Sequence, residues 1–130
     1  MDDWTDVARH FSSDAVAHLA TLQQDGSPRV TPIWADLDGE HIVFFAETSS
    51  LNARNIQRDP RVALSMTNPR KPLDMASVRG EVIERLEGEQ AMEVVDRIAR
   101  KYTGEAYDQR SGLVAFRMRP RKWSARDLTG

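Results

Sequence analysis

A mainly β fold, a small closed antiparallel sheet with short flanking helices, follows from three features of this 130-residue chain. Six runs rich in alternating apolar and polar residues are separated by Asp-Gly, Asn-Pro and Asp-Pro turn signals. Helical periodicity is confined to three segments, two of them short. Six short strands with so few helices to cover them leave exposed edges unless the sheet closes on itself. An open sandwich is the weaker alternative.

Residues Trp4 to Phe11 place Trp4, Val7, Ala8 and Phe11 on one side of a short amphipathic helix. Val16 to Leu22 reads as the first strand, broken by Gln23-Gln24-Asp25-Gly26-Ser27-Pro28. Arg29 to Leu37 is a second strand, and Asp38-Gly39 is a two-residue hairpin signal before the third, His41 to Ala46. Ser50 to Arg58 forms a short helix that stops at Asp59-Pro60, because proline disfavours helical geometry in the residue before it. Arg61 to Met66 is the fourth strand, and Asn68 to Pro72 a loop with two prolines. Met75 to Leu86 is a long fifth strand with Gly80 at a position where a barrel wall bends. Gly88 to Tyr102 is the longest helix, with Ala91, Val94, Val95, Ile98 and Tyr102 on one face. Leu113 to Met118 supplies the sixth strand, and the tail leaves the domain after Pro120.

This length fits one domain over residues 1–130, with an N-terminal helix within 1–12 and a tail at 121–130. An apolar fraction of 40% and a charged fraction of 29% are those of a soluble globular protein. The net charge of −2 argues against a general nucleic-acid binder. Absence of cysteine excludes disulfides, thiolate metal sites and cysteine nucleophiles. The acidic start lacks the basic and apolar regions of a secretory signal, and no apolar run reaches the roughly 18–20 residues of a membrane span. A soluble cytoplasmic protein with no membrane or nucleic-acid partner is expected.

The passage from Thr48-Ser49-Ser50 into the helix at Leu51 is a natural phosphate site. The first N–H groups of a helix lack internal partners, the helix dipole favours an anion there, and Thr48, Ser50, Asn52 and Arg54 add donors. Ser and Thr also serve as plain caps worth about 0.5–2 kcal/mol with no ligand at all. Pro32 is the second clue. It cannot donate to a ladder, so it belongs at an edge or bulge, where freed backbone groups can meet the polar edge of a flat ring while Ile33 and Trp34 cover its face. An edge strand with a buried tryptophan accounts for the same residues. The loop from Asn68 to Asp74 can lean over a partner's pocket or simply connect two strands. Arg110, Arg117, Arg119, Arg121, Lys122 and Arg126 form a basic stretch without an acidic residue among positions 110–126, suited to a polyanion or to a solvated face.

Other chemistries lack machinery. His10, His18 and His41 have no metal-ligand spacing, and no Walker loop, GxGxxG or GxSxG is present. Asp36, Asp38 and Glu40 flank a hairpin turn and do not read as a paired-carboxylate site. An oligonucleotide-binding barrel would need a series of exposed aromatics for base stacking, which is missing.

The segments His18-Leu19-Ala20-Thr21-Leu22, Asp25-Gly26-Ser27-Pro28, Val30-Thr31-Pro32-Ile33-Trp34, Ala53-Arg54-Asn55, Arg58-Asp59-Pro60-Arg61-Val62-Ala63-Leu64 and Val78-Arg79-Gly80-Glu81-Val82 occur in that order. Together they resemble the flavin split-barrel family related to pyridoxamine 5′-phosphate oxidase, and within it the actinobacterial branch that uses the deazaflavin coenzyme F420. The resemblance runs from Val16 to Arg121 and implies a homodimer of six-stranded split barrels with two cofactor sites at the subunit interface. It implies that Thr31, Pro32, Ile33 and Trp34 touch the ring system. Phe45, Ala46, Glu47, Thr48 and Ser50, with Leu51, Asn52 and Arg54, would hold the ribityl chain and phosphate. Leu73, Asp74, Met75 and Ala76 would arrive from the other subunit. Relatives typically carry lysine where this chain has Asn52. Losing that cation removes a charge-assisted hydrogen bond on the order of 1.5–3 kcal/mol, or roughly tenfold to hundredfold in affinity.

The expected function is therefore that of an F420-dependent oxidoreductase moving a hydride between a deazaflavin and an unsaturated small organic substrate. FMN is the alternative cofactor, and a non-catalytic cofactor carrier or sensor the rival from another class.

Overall fold

The computed structural model describes residues 2–129. Helix α1 (Trp4–Phe11) has Asp3 as its N-cap, whose side chain accepts from the Thr5 N–H. Strands β1 (Ala17–Leu22), β2 (Pro28–Ile33), β3 (Ala35–Asp38) and β4 (His41–Glu47) follow, then helix α2 (Leu51–Arg58). Strands β5 (Arg61–Asn68) and β6 (Lys71–Leu86), helix α3 (Gly88–Thr103) and strand β7 (Leu113–Asp127) complete the chain.

The strands form one antiparallel sheet of seven, not six, in the order β2-β1-β5-β6-β7-β4-β3. The additional strand arises because the expected run from Arg29 to Leu37 is divided at Trp34. Its first half pairs with β1, ending at Ile33 opposite Ala17, and its second half pairs with β4, beginning at Ala35 opposite Phe44. The two edge strands of the sheet are thus consecutive in the chain and joined by Trp34 alone, so the sheet must curl to bring its edges together. Pro32 lies in an edge strand, where its missing N–H costs least.

Helix α3 fastens this junction. The Tyr102 hydroxyl donates to Ala15 O at 2.7 Å and accepts from the Ala35 N–H at 3.2 Å. Lys101 Nζ donates to Phe11 O at 2.8 Å and also to Ala35 O. Trp34 stacks on Tyr102 with ring centroids 5.0 Å apart and planes 9° from parallel.

The concave side of the sheet holds the core, including Leu19, Leu64, Met66, Val78, Ile42, Phe44, Phe116 and Met118, with Val7 and Phe11 of α1 and Ile56 of α2 closing it. Gly80 sits at a register shift between β6 and β7, and a Cβ there would collide with the Arg119 carbonyl oxygen. Pro120 lies opposite Gly80, and beyond this irregularity the ladder resumes from Lys122 to Asp127. The tail therefore does not leave the domain after Pro120 but continues as the outer half of β7. Asn68 to Pro72 is likewise tighter than expected, with Asn68 and Lys71 paired across a Pro69-Arg70 turn.

Candidate cofactor cleft

Alternation along β4 buries Phe44 and turns Phe45 to the other face. There it meets the β2–β3 junction across a cavity of about 310 Å³ lined by Val16, Pro32, Ile33, Trp34, Phe45 and Tyr107. Tyr107 stands edge-on to both aromatic neighbours, 5.1 Å from Phe45 and 6.1 Å from Trp34 between centroids. Aromatic faces and edges around an open apolar slot suit a flat conjugated ring.

The polar end is built on α2. Ser50 is its N-cap, and its hydroxyl accepts from the Ala53 N–H at 3.1 Å. Asn52 donates from Nδ2 to Thr31 Oγ1 at 2.8 Å, while its Oδ1 accepts from Thr21 Oγ1 and from Arg29 Nε, each at 3.3 Å. Asn55, fully buried, donates to Thr21 Oγ1 at 3.1 Å and accepts from Arg58 at 3.0 Å. This network ties the helix to β1 and β2. Arg29 is half-buried and has no carboxylate partner among the described residues, so its two terminal nitrogens remain open to an anion.

The expected site residues fall into three groups. Pro32, Ile33, Trp34 and Phe45 come together at the cleft, whereas Thr31, the residue before Pro32 on β2, bonds Asn52 and is not part of the cleft lining. Ala46 and Glu47 pair with Val114 and Leu113 at the end of β4, and the Thr48 N–H donates to Gly112 O at 2.8 Å. Leu51 begins α2 half-buried, and Arg54 is exposed. Leu73, Asp74, Met75 and Ala76 lie elsewhere in the chain, on β6 beneath α1. Asp74 and Ala76 are buried at 4% and 3% exposure, which leaves Leu73 and Met75 as the members open to a second molecule.

Asp74 has its own partners. Arg9 grips it with bonds of 2.7 and 3.1 Å, Asn68 adds one at 3.4 Å, and His10 Nε2 lies 3.4 Å away. The Arg9 bond holds the Asp74 carboxyl below its ordinary range despite desolvation. Burial lowers the His10 pKa, with the Arg9 charge adding to it. Burial likewise lowers the Lys101 pKa, opposed by the Asp36 carboxylate 3.6 Å away.

Three of the six residues of the basic stretch are paired with carboxylates. Arg117 bonds Glu84 at 2.9 Å and also Asp38, Arg121 bonds Glu81 at 2.8 Å, and Arg110 bonds Asp96 at 2.7 Å. Among the described residues no group of three or more His, Asp or Glu side chains is placed to hold a metal ion. None of the described helices is long and apolar enough to cross a membrane.

Sequence reading missed Val16, Arg29 and Tyr107. Arg29 shares a face with Thr31 by the two-residue strand period, which was a usable signal. Tyr107, an aromatic in a polar glycine-bounded connection, was another.

Among curated proteins, no sequence matches the chain. Among solved structures, an F420 reductase is 28% identical with a TM-score of 0.80, covering 89% of this chain and 94% of that one. A conserved hypothetical protein from Mycobacterium tuberculosis is 24% identical at TM-score 0.78, covering 98% of this chain and 86% of that one. A heme binding protein from Mycobacterium smegmatis is 24% identical at TM-score 0.71, covering all of this chain but 56% of the other. The last two share the fold. The sequence profile of the family described as pyridoxamine 5′-phosphate oxidase matches residues 5–127, and the chain belongs to that family.

Proposed function

We propose that the chain is an oxidoreductase that binds coenzyme F420, with FMN as the alternative, and passes a hydride between it and an unsaturated small organic substrate. One observation carries this reading: strand β2 carries both an aromatic-walled slot, at Pro32 and Ile33, and a polar cluster, in which Arg29 and Thr31 meet Asn52 and the terminal nitrogens of Arg29 are unpaired among the described residues. A flat ring bearing a phosphorylated side chain calls for both an apolar and an anion-binding end. The 28% identity to an F420 reductase favours the deazaflavin over FMN.

The cofactor supplies the hydride chemistry. The chain's own residues orient and shield. Ile33 and Trp34 cover the ring face, Phe45 walls the slot, and Arg29 with Thr31 and Asn52 holds the anion. Thr48, ahead of the Ser50 cap, and Arg54, in the first turn of α2, are both exposed and would meet a longer tail.

The site is completed by a second copy. A cavity of about 310 Å³ is at the lower end of the range of about 300–1,000 Å³ for small-molecule sites, as suits half of a shared crevice. The outward face of β2, β1 and β5 carries Val30, 63% exposed, opposite Ala20, with Ala63 beyond it. Small uncharged side chains in register let another sheet approach closely. Leu73 at 48% exposure would then reach the partner's cleft.

Titrating purified protein with F420 and with FMN, following cofactor fluorescence, tests the assignment. Micromolar or tighter F420 binding is expected, and tight FMN binding with none for F420 reverses the order. Reduced cofactor with a panel of enones, quinones and tetrapyrroles is expected to be oxidised by at least one of them in the protein's presence. Binding without turnover across the panel favours the carrier.

A further inference from the structure

The connection 104–112 between α3 and β7 has no regular structure, yet one residue in it is held from both sides. Its two ends turn on glycines in the left-handed region, Gly104 at φ 85° and Gly112 at φ 75°. Between them the Tyr107 N–H donates to Asp96 Oδ1 at 3.1 Å, and the Tyr107 carbonyl accepts from Arg110 Nη1 at 3.0 Å. Arg110 closes the ring by binding Asp96 through both terminal nitrogens, at 2.7 and 3.0 Å. Two mutually bonded side chains thus fix the backbone of one residue on both sides.

What this grip positions is the Tyr107 ring. It packs against Trp34 and Phe45 on the rim of the cleft and is not among the residues that cover the hydrophobic core. Its hydroxyl has no hydrogen-bond partner among the described residues. A half-buried phenol that supports neither the core nor a polar network, and that lines the slot beside two other aromatic rings, is placed to meet something that enters it. The same connection ends at Gly112, whose carbonyl accepts from the Thr48 N–H, so it borders the polar end of the site as well.

We propose that Tyr107 is a ligand-contacting, specificity-determining residue of the cleft, and that Asp96 and Arg110 are positioning residues that hold it there. The ligand class is a flat conjugated ring with a hydrogen-bond acceptor on its edge, met by the Tyr107 hydroxyl. This inference rests on reading the cleft as a cofactor site.

The test measures dissociation constants for FMN and oxidised F420 in wild type, Tyr107→Ala, Tyr107→Phe, Asp96→Asn and the Tyr107→Ala/Asp96→Asn double variant, with the unfolding midpoint of each. Tyr107→Ala is expected to weaken the better-bound cofactor by about threefold to tenfold, the scale of a lost aromatic contact. Tyr107→Phe retains the larger part of that affinity. Asp96→Asn loses less than Tyr107→Ala, and the double variant binds no worse than Tyr107→Ala, because Asp96 acts only through the ring it positions. Faster exchange of the Tyr107 amide hydrogen in Asp96→Asn, measured without cofactor, is the matching signature of a released grip. If Tyr107→Ala does not fold, Tyr107→Leu takes its place in the cycle. Wild-type affinity in the Tyr107 variants overturns the contact, and additive losses in the double variant overturn the positioning role. A wild-type protein that binds neither cofactor overturns the cofactor reading itself and this inference with it, a result visible before any variant is made.

Discussion

Asn52 uses both ends of its amide inside the chain, giving to Thr31 and accepting from Thr21 and Arg29. That changes what a lysine at this position would do. Asn52→Lys is expected to strip acceptors from two donors and cost about 1–3 kcal/mol of stability, read by urea unfolding. It also sets a second cation beside Arg29, so cofactor binding tightens at low salt and falls more steeply as salt is added. Arg29→Gln is the complementary variant. Losing a charge-assisted bond to phosphate weakens cofactor binding by about tenfold to hundredfold and flattens its salt dependence. A change in affinity with Asn52→Lys but none with Arg29→Gln would move the anion away from β2. The Arg9–His10–Asp74 group sets an acid limit on stability. Asp74 has a lowered pKa, so its contribution is present above its unfolded value and is lost as pH falls through the folded one. His10, also lowered, is bound neutral, and acidification through its ordinary value near about 6.5 favours the unfolded chain. Both signs agree. Unfolding midpoints are expected to decline from about pH 6.5 downward, in a first step that His10→Gln removes and a later one that Asp74→Asn removes.

At the scale of elements, helix starts and stops were readable because they depend on neighbours in sequence. Asp3 and Ser50 cap α1 and α2, and Asp59-Pro60 ends α2. Partner choice along a strand was not readable. Nothing local says that Ile33 pairs with β1 and Ala35 with β4; this depends on Tyr102 and Lys101, far along the chain, holding the backbone at Ala15 and Ala35. The same limit hid the outer half of β7, since Pro120 reads as a terminator until Gly80 is seen opposite it. Tyr102→Phe leaves the buried Ala35 N–H unpaired and is expected to cost about 1–3 kcal/mol in urea unfolding, with amide exchange rising first at Ala35. Gly80→Ala drives a methyl into the Arg119 carbonyl and is expected to destabilise by about 1–3 kcal/mol, seen as a lower thermal midpoint.

For the molecule as a whole, the aromatic half of the site was legible from Pro32, Ile33 and Trp34, while its walls were not, because Tyr107 and Val16 are brought there only by folding. A second copy is the remaining wall in the proposed arrangement. Val30→Glu places a charge at the head of the apolar row Val30, Ala20, Ala63, and sedimentation is expected to show a monomer with a cofactor affinity at least about tenfold lower. A dimer retained in Val30→Glu would direct the search for the contact to another face.

Trp34 is at once the single link between the two margins of the sheet, the platform of Tyr102 and a side of the cleft. Whatever rests on it acts as a rivet through both plates of the wall. Under the proposed reading a ring in the slot would press on the same indole that Tyr102 stacks against, and slower amide exchange in the last turn of α3 on adding cofactor is the outcome that arrangement calls for.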